Sequence, residues 1–545
     1  MNDFADRRVT VMGLGRFGGG LGVTRFLAQR GAQVLVTDTL PAEELAESTA
    51  ALQDLVDAGR VTLRLGEHRT QDFTDTDLVV VNPAVRPGNA FVEAARSAGV
   101  PITSEIRLLV QHLPNRLKTI GVTGSAGKST TTAMIAHILR AMLGQDGETP
   151  RRQDARTTRG SGSRVEASAE TAAVGGGNHS GGQSGGDSGG GVWMGGNIGG
   201  SLLPYVDQIL PDDWVVLELS SFMLEGLRED RWSPHIAVIT NISPNHLDWH
   251  GTMESYVEAK RAIMLFQDPE RDTVFLDESA ALAFDGGRNP HDPEWQVHPD
   301  IDGCIIDGPL CIDEPYPLTS LAGYHNECNA ALAHMVVVTV LREDGGEGWM
   351  QEAEQDSEWR KFRAAKLDFA GLPHRLEALG QVHGIICYND SKSTTPSAVI
   401  NAVDAFVLIN PDQVARRTTA AYDSEVRIIL GGYDKGSDFA EAAEFVAQHC
   451  RGVYTIGDTG DSIADLVEAE VSSRSTRCVV RRCGTLEVAV REALREAQGG
   501  EVLLLSPGCA SWDQFANYEE RGRRFVELVR AAGEGPQGDK QKPTD

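Results

Sequence analysis

Apolar residues along this chain gather in short runs, each closed by a polar or glycine-rich turn. The runs Val9 to Met12, Gln33 to Thr37, Val61 to Leu65 and Leu78 to Val81 predict the strands of a first block, with one helix reaching about Arg30 and another around Ser104 to His112. A second block has a strand ending at Gly121, Val122 and Thr123, a helix from Lys128 to about Leu143, strands at Trp214 to Leu219 and Ile236 to Ile239, and a helix over Met253 to Met264. A third opens near Pro373, with strands near Ile385 to Tyr388, Arg427 to Leu430, Val453 to Ile456 and Val502 to Leu505. Strand followed by turn, repeated this way, predicts an α/β protein of parallel sheets with its functional loops along one edge. The blocks divide as residues 1–107, 108–372 and 373–545. Two stretches break the pattern. Residues 147–192 are Gly, Ser, Arg and Thr without apolar period, which predicts a disordered insertion before a GGNIGG turn, and Arg342 to Gln355 is acidic enough to be solvated. The tail from about residue 533 also reads as disordered.

One position breaks the helical pattern. In the helix over Met253 to Met264 the apolar stripe includes Tyr256, Val257, Ile263 and Met264, and Lys260 falls inside it. Such an ammonium must snorkel to water, pair, or be chemically altered. His246 and Asp248 stand just upstream in a polar turn after the strand Ile236 to Ile239, and such a strand end is where α/β proteins place chemistry.

Two glycine loops point to phosphate. Gly124, Ser125, Ala126, Gly127, Lys128, Ser129 and Thr130 lie between a strand and a helix, the arrangement of a phosphate cradle: Lys128 reaches terminal phosphates and Ser129 can ligate Mg²⁺. Valine at position 122 makes it shorter than the usual G-x-x-x-x-G-K-[ST]. Earlier, Gly13, Gly15 and Gly18 follow the first strand and Asp38 stands about twenty residues on, a dinucleotide fingerprint that a nucleotide-sugar diphosphate would fit as well. The first block is therefore expected to be Rossmann-like, the second P-loop ATPase-like, and the third Rossmann-like with a parallel sheet.

Charge and cysteines narrow the class. With 78 acidic against 50 basic residues the net charge is −28, which argues against nucleic acid or an anionic membrane as the main partner. The eight cysteines all follow residue 303 without a C-x-x-C pair, as in a reduced protein. No apolar run approaches a membrane span and no leader opens the chain, so a cytoplasmic protein, without membrane contact and monomeric, is expected.

The ordered set GSAGKST, GGNIG, LELSSFMLE, NISPNHLDWHG with EAK, AGYHNECNA, GLPHRLE, NDSKSTTPSA, GGYDKGSDF and LLSPGCASWDQFANYEERG resembles the Mur ligases. It runs from residue 9 to about residue 531 outside the insertion, and LSSF with DSKSTTPSA points to the branch that adds D-glutamate to UDP-N-acetylmuramoyl-L-alanine. The D-N-P-R segment of the diaminopimelate- and lysine-adding relatives is absent. The resemblance implies an ATP-dependent amide ligase of peptidoglycan precursor synthesis acting through an acyl phosphate, with two Mg²⁺ sites. It implies Lys128 on the phosphates, Ser129 and Glu218 at one Mg²⁺, and His246 with a carbamylated Lys260 at the other. A capping role for Glu218 and a structural turn role for His246 are the bland alternatives. Asn326, Asn329 and Arg375 match ATP contacts and Asp390 the ribose carboxylate. Gly15, Arg16, Phe17, Asp38 and Thr39 match the UDP site, and Asn197 a muramoyl contact. Lys392 or Lys435, with Thr394, Ser511 and the backbone at Tyr518, match the D-glutamate site. Arg16, Phe17 and Ala126 depart from the family pattern, as do Asn82, Pro83 and Ala84 in place of an SPG turn. A Mur ligase for another amino acid and a folylpolyglutamate-synthase-like ligase are the nearest alternatives. A nicotinamide-dependent oxidoreductase would leave GSAGKST and Lys260 idle, and a non-catalytic ATP-binding protein would not need Glu218, His246 and Lys260 together.

Overall fold

The structure, a computed structural model, describes residues 4–15, 19–83, 85–86, 88–144, 190–284, 303–306, 321–345, 357–407 and 425–534. Arg16, Phe17, Ala84, most of the expected insertion and the end of the tail lie outside the described residues.

Seventeen described strands form three sheets. The first holds β1 (Arg8–Met12), β2 (Gln33–Asp38), β3 (Val61–Leu65), β4 (Leu78–Val81) and β5 (Ile102–Thr103), all parallel, in the order β3-β2-β1-β4-β5. The second holds β6 (Thr119–Thr123), β7 (Val192–Gly196), β8 (Trp214–Glu218), β9 (Ile236–Ile239), β10 (Thr273–Asp277) and β11 (Gly303–Ile306) in the parallel order β11-β10-β9-β6-β8-β7. Strands β6, β8 and β9 are buried along their whole length, so they read as unbroken apolar runs rather than alternating ones. The third holds β12 (Glu377–Val382), β13 (Ile385–Asn389), β14 (Val426–Gly431), β15 (Cys450–Ile456), β16 (Val479–Gly484) and β17 (Val502–Leu505) in the order β12-β13-β17-β14-β15-β16.

Three expectations need correction. The third sheet is not wholly parallel, because β12 pairs with β13 antiparallel at its edge. The backbone is described again from Gly190, and Val192 to Gly196 form β7 rather than insertion or turn. The helix Tyr324–Gly345 runs into the start of the acidic stretch, where 342–345 are exposed as expected, and the helix Tyr518–Glu534 ends at the start of the expected tail. The Lys260 helix, Met253–Arg261, ends short of Met264; Ile263 and Met264 are buried in the turn that follows.

The chain divides into two compact units, Met1–Cys311 with Asn329–Lys366, and Ile312–Cys328 with Leu367–Asp545. In the first unit both sheets feed one apolar core, in which Val9, Phe26 and Leu109 belong to the same cluster as Trp193, Leu217 and Ile239. Ion pairs join the two layers. Arg30 meets Asp207 at 2.6 Å, and Arg107 holds Asp230 through two nitrogens at 2.6 and 2.8 Å and Glu229 at 2.6 Å. In the second unit the core lies on both faces of the third sheet, around Val399, Ile428 and Val502 on one side and Ile429, Leu503 and Phe525 on the other.

Candidate active site

The glycine loop joins β6 to the helix Lys128–Met142, whose positive end lies at the loop. Two glycines make its turn possible. A Cβ on Gly124 (φ 147°) would lie 2.0 Å from Thr240 Oγ1, and one on Gly127 (φ 79°) 2.3 Å from Asn329 Oδ1. The loop is sewn to the end of β9. Ser125 N donates to the Asn241 carbonyl and Ala126 N to Asn241 Oδ1, both at 2.9 Å, and Thr240 Oγ1 donates to the Ala126 carbonyl at 2.5 Å. The Ser125 and Ala126 amides therefore shape the loop instead of facing a ligand. Lys128 Nζ folds back on the carbonyls of Gly124 and Ser125, at 2.9 and 3.1 Å.

Glu218 closes β8 and is 1 % exposed. Its Oε2 accepts from Ser129 Oγ at 2.7 Å and its Oε1 from Asn197 Nδ2 at 2.8 Å. The next helix, Ser221–Glu229, is capped by Ser220 Oγ, so Glu218 is not spent as a cap. Asn197 reaches it because the Asn197 amide donates to the Glu218 carbonyl at 2.9 Å, beside the end of β7.

Lys260 does not snorkel. It is 1 % exposed, on a helix capped by Thr252 Oγ1, with its Nζ 4.8 Å from the centre of the Tyr256 ring. The ammonium donates to Thr123 Oγ1 at 3.3 Å and to the Gly124 carbonyl at 2.7 Å, the same carbonyl that Lys128 uses. Burial and the Lys128 charge hold its pKa well below the usual lysine range, and Glu218 opposes them only in part. His246 is exposed, with φ 53°, and its ring meets that of Phe222 edge-on at 5.2 Å. Among the described residues no three His, Cys, Asp or Glu side chains are grouped to hold a metal ion.

In the second unit the turn after β13 carries Asp390 and Lys392. Asp390 accepts from Ser506 Oγ at 2.9 Å and from Leu376 N at 3.2 Å, and burial pushes its pKa up to about 7 against those hydrogen bonds. Arg375 sits between two non-glycine residues of positive φ, His374 (62°) and Leu376 (44°). Lys392 is exposed, with Nζ 5.1 Å from the Tyr518 ring centre. Thr394 and Lys435 line one pocket, with Tyr433, Asp434, Ser437, Phe439 and Cys509. Ser511 is buried, its carbonyl accepting from Gln514 N and Phe515 N, and the Tyr518 carbonyl accepts from Ser391 Oγ at 2.8 Å. Asn326 is buried and donates to the Ala322 carbonyl at 2.7 Å.

In the first sheet Asp38 is 7 % exposed, with Oδ2 accepting from Leu14 N (2.9 Å) and Gly15 N (3.1 Å) and Oδ1 from Leu40 N (2.9 Å). The Gly15 amide is thus committed to Asp38, and Gly15 contributes backbone shape. Gly20 permits the close turn: a Cβ there would lie 2.3 Å from the Gly13 carbonyl. Thr39 is exposed beside it.

Three family descriptions match the chain: "Mur ligase MurD-like, N-terminal domain" over residues 7–104, "Mur ligase middle domain" over 208–286, and "Mur ligase, glutamate ligase domain" over 374–509. UDP-N-acetylmuramoylalanine--D-glutamate ligase of Koribacter versatilis is 32% identical over 98% of this chain and 99% of its own length, and that of Acidobacterium capsulatum 32% identical over 96% of each. The chain belongs to the Mur ligase family. Its N-terminal match and its full-length relatives place it in the MurD branch. Among solved structures, MurF from Acinetobacter baumannii is similar at 12% identity and a TM-score of 0.48, over 97% of this chain and 92% of that one.

Set within a Mur ligase, several residues matter that sequence pattern did not single out. Thr240, Asn241 and Ser243 brace the glycine loop, and Tyr256 bonds Ser125 Oγ at 3.0 Å while lying under Lys260. Arg521, 1 % exposed, donates to Ser391 Oγ (3.0 Å) and to the carbonyls of Ser391 (2.8 Å), Cys509 (3.0 Å) and Ala510 (3.2 Å). It ties the turn after β13 to the turn after β17. The only sequence signal was a basic residue on the otherwise apolar face of the helix Tyr518–Glu534.

Proposed function

We propose that this Mur ligase uses ATP to join D-glutamate to UDP-N-acetylmuramoyl-L-alanine. The observation that carries the reading is the buried Ser129–Glu218 pair at a phosphate loop with two lysines on one carbonyl, in a chain similar end to end to D-glutamate ligases.

The chemistry follows from the groups. A carboxylate is inert to an amine in water, so the alanyl carboxylate is first phosphorylated by the γ-phosphoryl of ATP. The amine nitrogen of D-glutamate then attacks the acyl carbon: the C–N bond forms, the C–O bond to phosphate breaks, and the amine proton leaves. Transfer of this kind needs charge neutralisation and alignment more than covalent catalysis. Lys128 leaves the Gly124 and Ser125 carbonyls to meet the phosphates, helped by the helix dipole. Mg²⁺ would neutralise phosphate charge; Ser129 Oγ and Glu218 fit it, as hard oxygens already side by side, with Asn197 fixing the second carboxylate oxygen.

Lys260 fits carbamylation by the same reasoning. A buried amine with a depressed pKa has its lone pair available, so it can add to CO₂, lose a proton and become an anion. That change replaces two like charges on the Gly124 carbonyl with an opposite pair, Lys128 against carbamate. His246 is the second candidate ligand for the other Mg²⁺ ion. In the second unit Lys435 and Thr394 are offered to the carboxylates of D-glutamate, Asp390 to the ribose and Arg375 to ATP; Asp38 and Thr39 belong to the uridine end. Among the described residues no helix is long and apolar enough to cross a membrane.

Phosphate release tests the reading. It is expected only when ATP, UDP-N-acetylmuramoyl-L-alanine and D-glutamate are all present; release without the amino acid at the full rate would refute amide synthesis.

A further inference from the structure

Trp512 is 61% exposed, an unusual position for an indole on a soluble domain. Its neighbours are not random. Tyr433 and Ala510 pair as an isolated β-bridge, with Tyr433 N donating to the Ala510 carbonyl at 2.9 Å, so the turn after β14 and the turn after β17 run side by side. That pairing brings the Tyr433 ring to 5.5 Å from the Trp512 ring, tilted by 56°, and sets the Lys435 ammonium 4.9 Å from the centre of a Trp512 ring. Among the described residues Lys435 has no carboxylate partner within ion-pair distance. The indole face is what it meets, at the edge of the pocket that Lys435 itself lines with Thr394, Tyr433, Asp434, Ser437 and Phe439.

We propose that Trp512 is a positioning residue for amino-acid binding: its π face holds the Lys435 ammonium toward the pocket, and with Tyr433 it walls water from the bound carboxylate. This rests on the reading of Lys435 as a carboxylate donor. A flexible lysine in water loses several rotamers when it binds an anion, and a cation–π contact removes part of that loss beforehand. Such a contact is worth a factor of about 2 when exposed and about 30 when desolvated, so substrate binding, which dries the pocket, strengthens it. Lys435 contacts a non-reacting carboxylate, equally in ground and transition state, so the effect belongs in KM rather than kcat.

The test is a double-mutant cycle by steady-state kinetics with the full chain. Trp512→Leu, which keeps bulk but removes the π face, is expected to raise the D-glutamate KM roughly 5- to 30-fold, with kcat and ATP KM little changed. Trp512→Phe is expected to restore most of the loss. In a Lys435→Ala background, Trp512→Leu is expected to add almost nothing. An unchanged KM in Trp512→Leu, a Phe variant as poor as the Leu variant, or an undiminished Leu effect in Lys435→Ala would each overturn the proposal. If Lys435→Ala leaves the D-glutamate KM unchanged, the assignment of Lys435 falls with it; if Lys435→Ala raises KM and Trp512→Leu does not, only the role of Trp512 falls.

Discussion

Two lysines on one carbonyl concentrate the chemistry at the residue scale. Lys128 and Lys260 both donate to the Gly124 oxygen, and only one of them reaches solvent readily. Burying an ammonium costs several kcal/mol unless it is well paired; here the pairing is a hydroxyl, a carbonyl and an aromatic face, with a second cation adjacent. Such a site is better suited to an anion, and the proposed carbamylation would supply one. Protein equilibrated with ¹³C-bicarbonate is expected to show a carbamate carbon signal in NMR that disappears in Lys260→Ala, and that variant should lose activity by about 100-fold or more, partly restored by short carboxylic acids. Absence of the signal in active wild-type protein would rule the modification out. Lys260 was legible in the sequence because a charge interrupts an apolar stripe. Asn197's grip on Glu218 was not, since a GGNIGG turn carries no sign of which strand it will meet.

Elements bring these residues together through strand order. In the second sheet β6 lies between β8 and β9, so the loop after β6, the carboxylate ending β8 and the Thr240–Asn241 pair after β9 share one edge. Apolar runs revealed those three strands because both faces are buried. Strands β5, β7, β10, β11, β12 and β16 escaped notice: β5 has two residues, β7 is rich in glycine, and the edge strands β12 and β16 mix polar with apolar residues. The opposite edge carries a latch that sequence does not display. His235, before β9, has Nδ1 2.9 Å from Asp272 and Nε2 3.1 Å from Glu343, and Arg116 also holds Asp272, at 2.9 Å. Glu343 belongs to the helix Tyr324–Gly345, which also presents Asn329 to Gly127. Burial lowers the His235 pKa, but the two carboxylates outweigh it and hold it up at about 9. The unfolded value is about 6.5, so the charged latch stabilises fully below pH 6.5 and its contribution is lost as pH rises through 9. Urea denaturation of wild type and His235→Gln should therefore show a stability gap that narrows between pH 6.5 and 9; a gap independent of pH would mean His235 is neutral there.

At the scale of the whole molecule, the three-block α/β plan was legible because glycine loops and apolar runs alternate in order, whereas the single core under the first two sheets was not. Layer-to-layer contacts such as Arg107 with Asp230 span more than a hundred residues and have no local signature. The same holds for the pocket proposed for the amino acid, assembled from turns after β13, β14 and β17. On the proposed reading, Lys435 and Thr394 offer donors to an amino acid with two carboxylates, and Asp434 stands beside them. A pocket built to hydrogen-bond a group rejects an analogue that leaves a donor unpaired, by up to about 10⁴-fold in favourable cases. The most direct measurement is therefore kcat/KM for D-glutamate against D-glutamine, with ATP and UDP-N-acetylmuramoyl-L-alanine saturating. The account predicts a preference for D-glutamate of at least about 100-fold; equal use of the two, or preference for a dibasic amino acid, would contradict it.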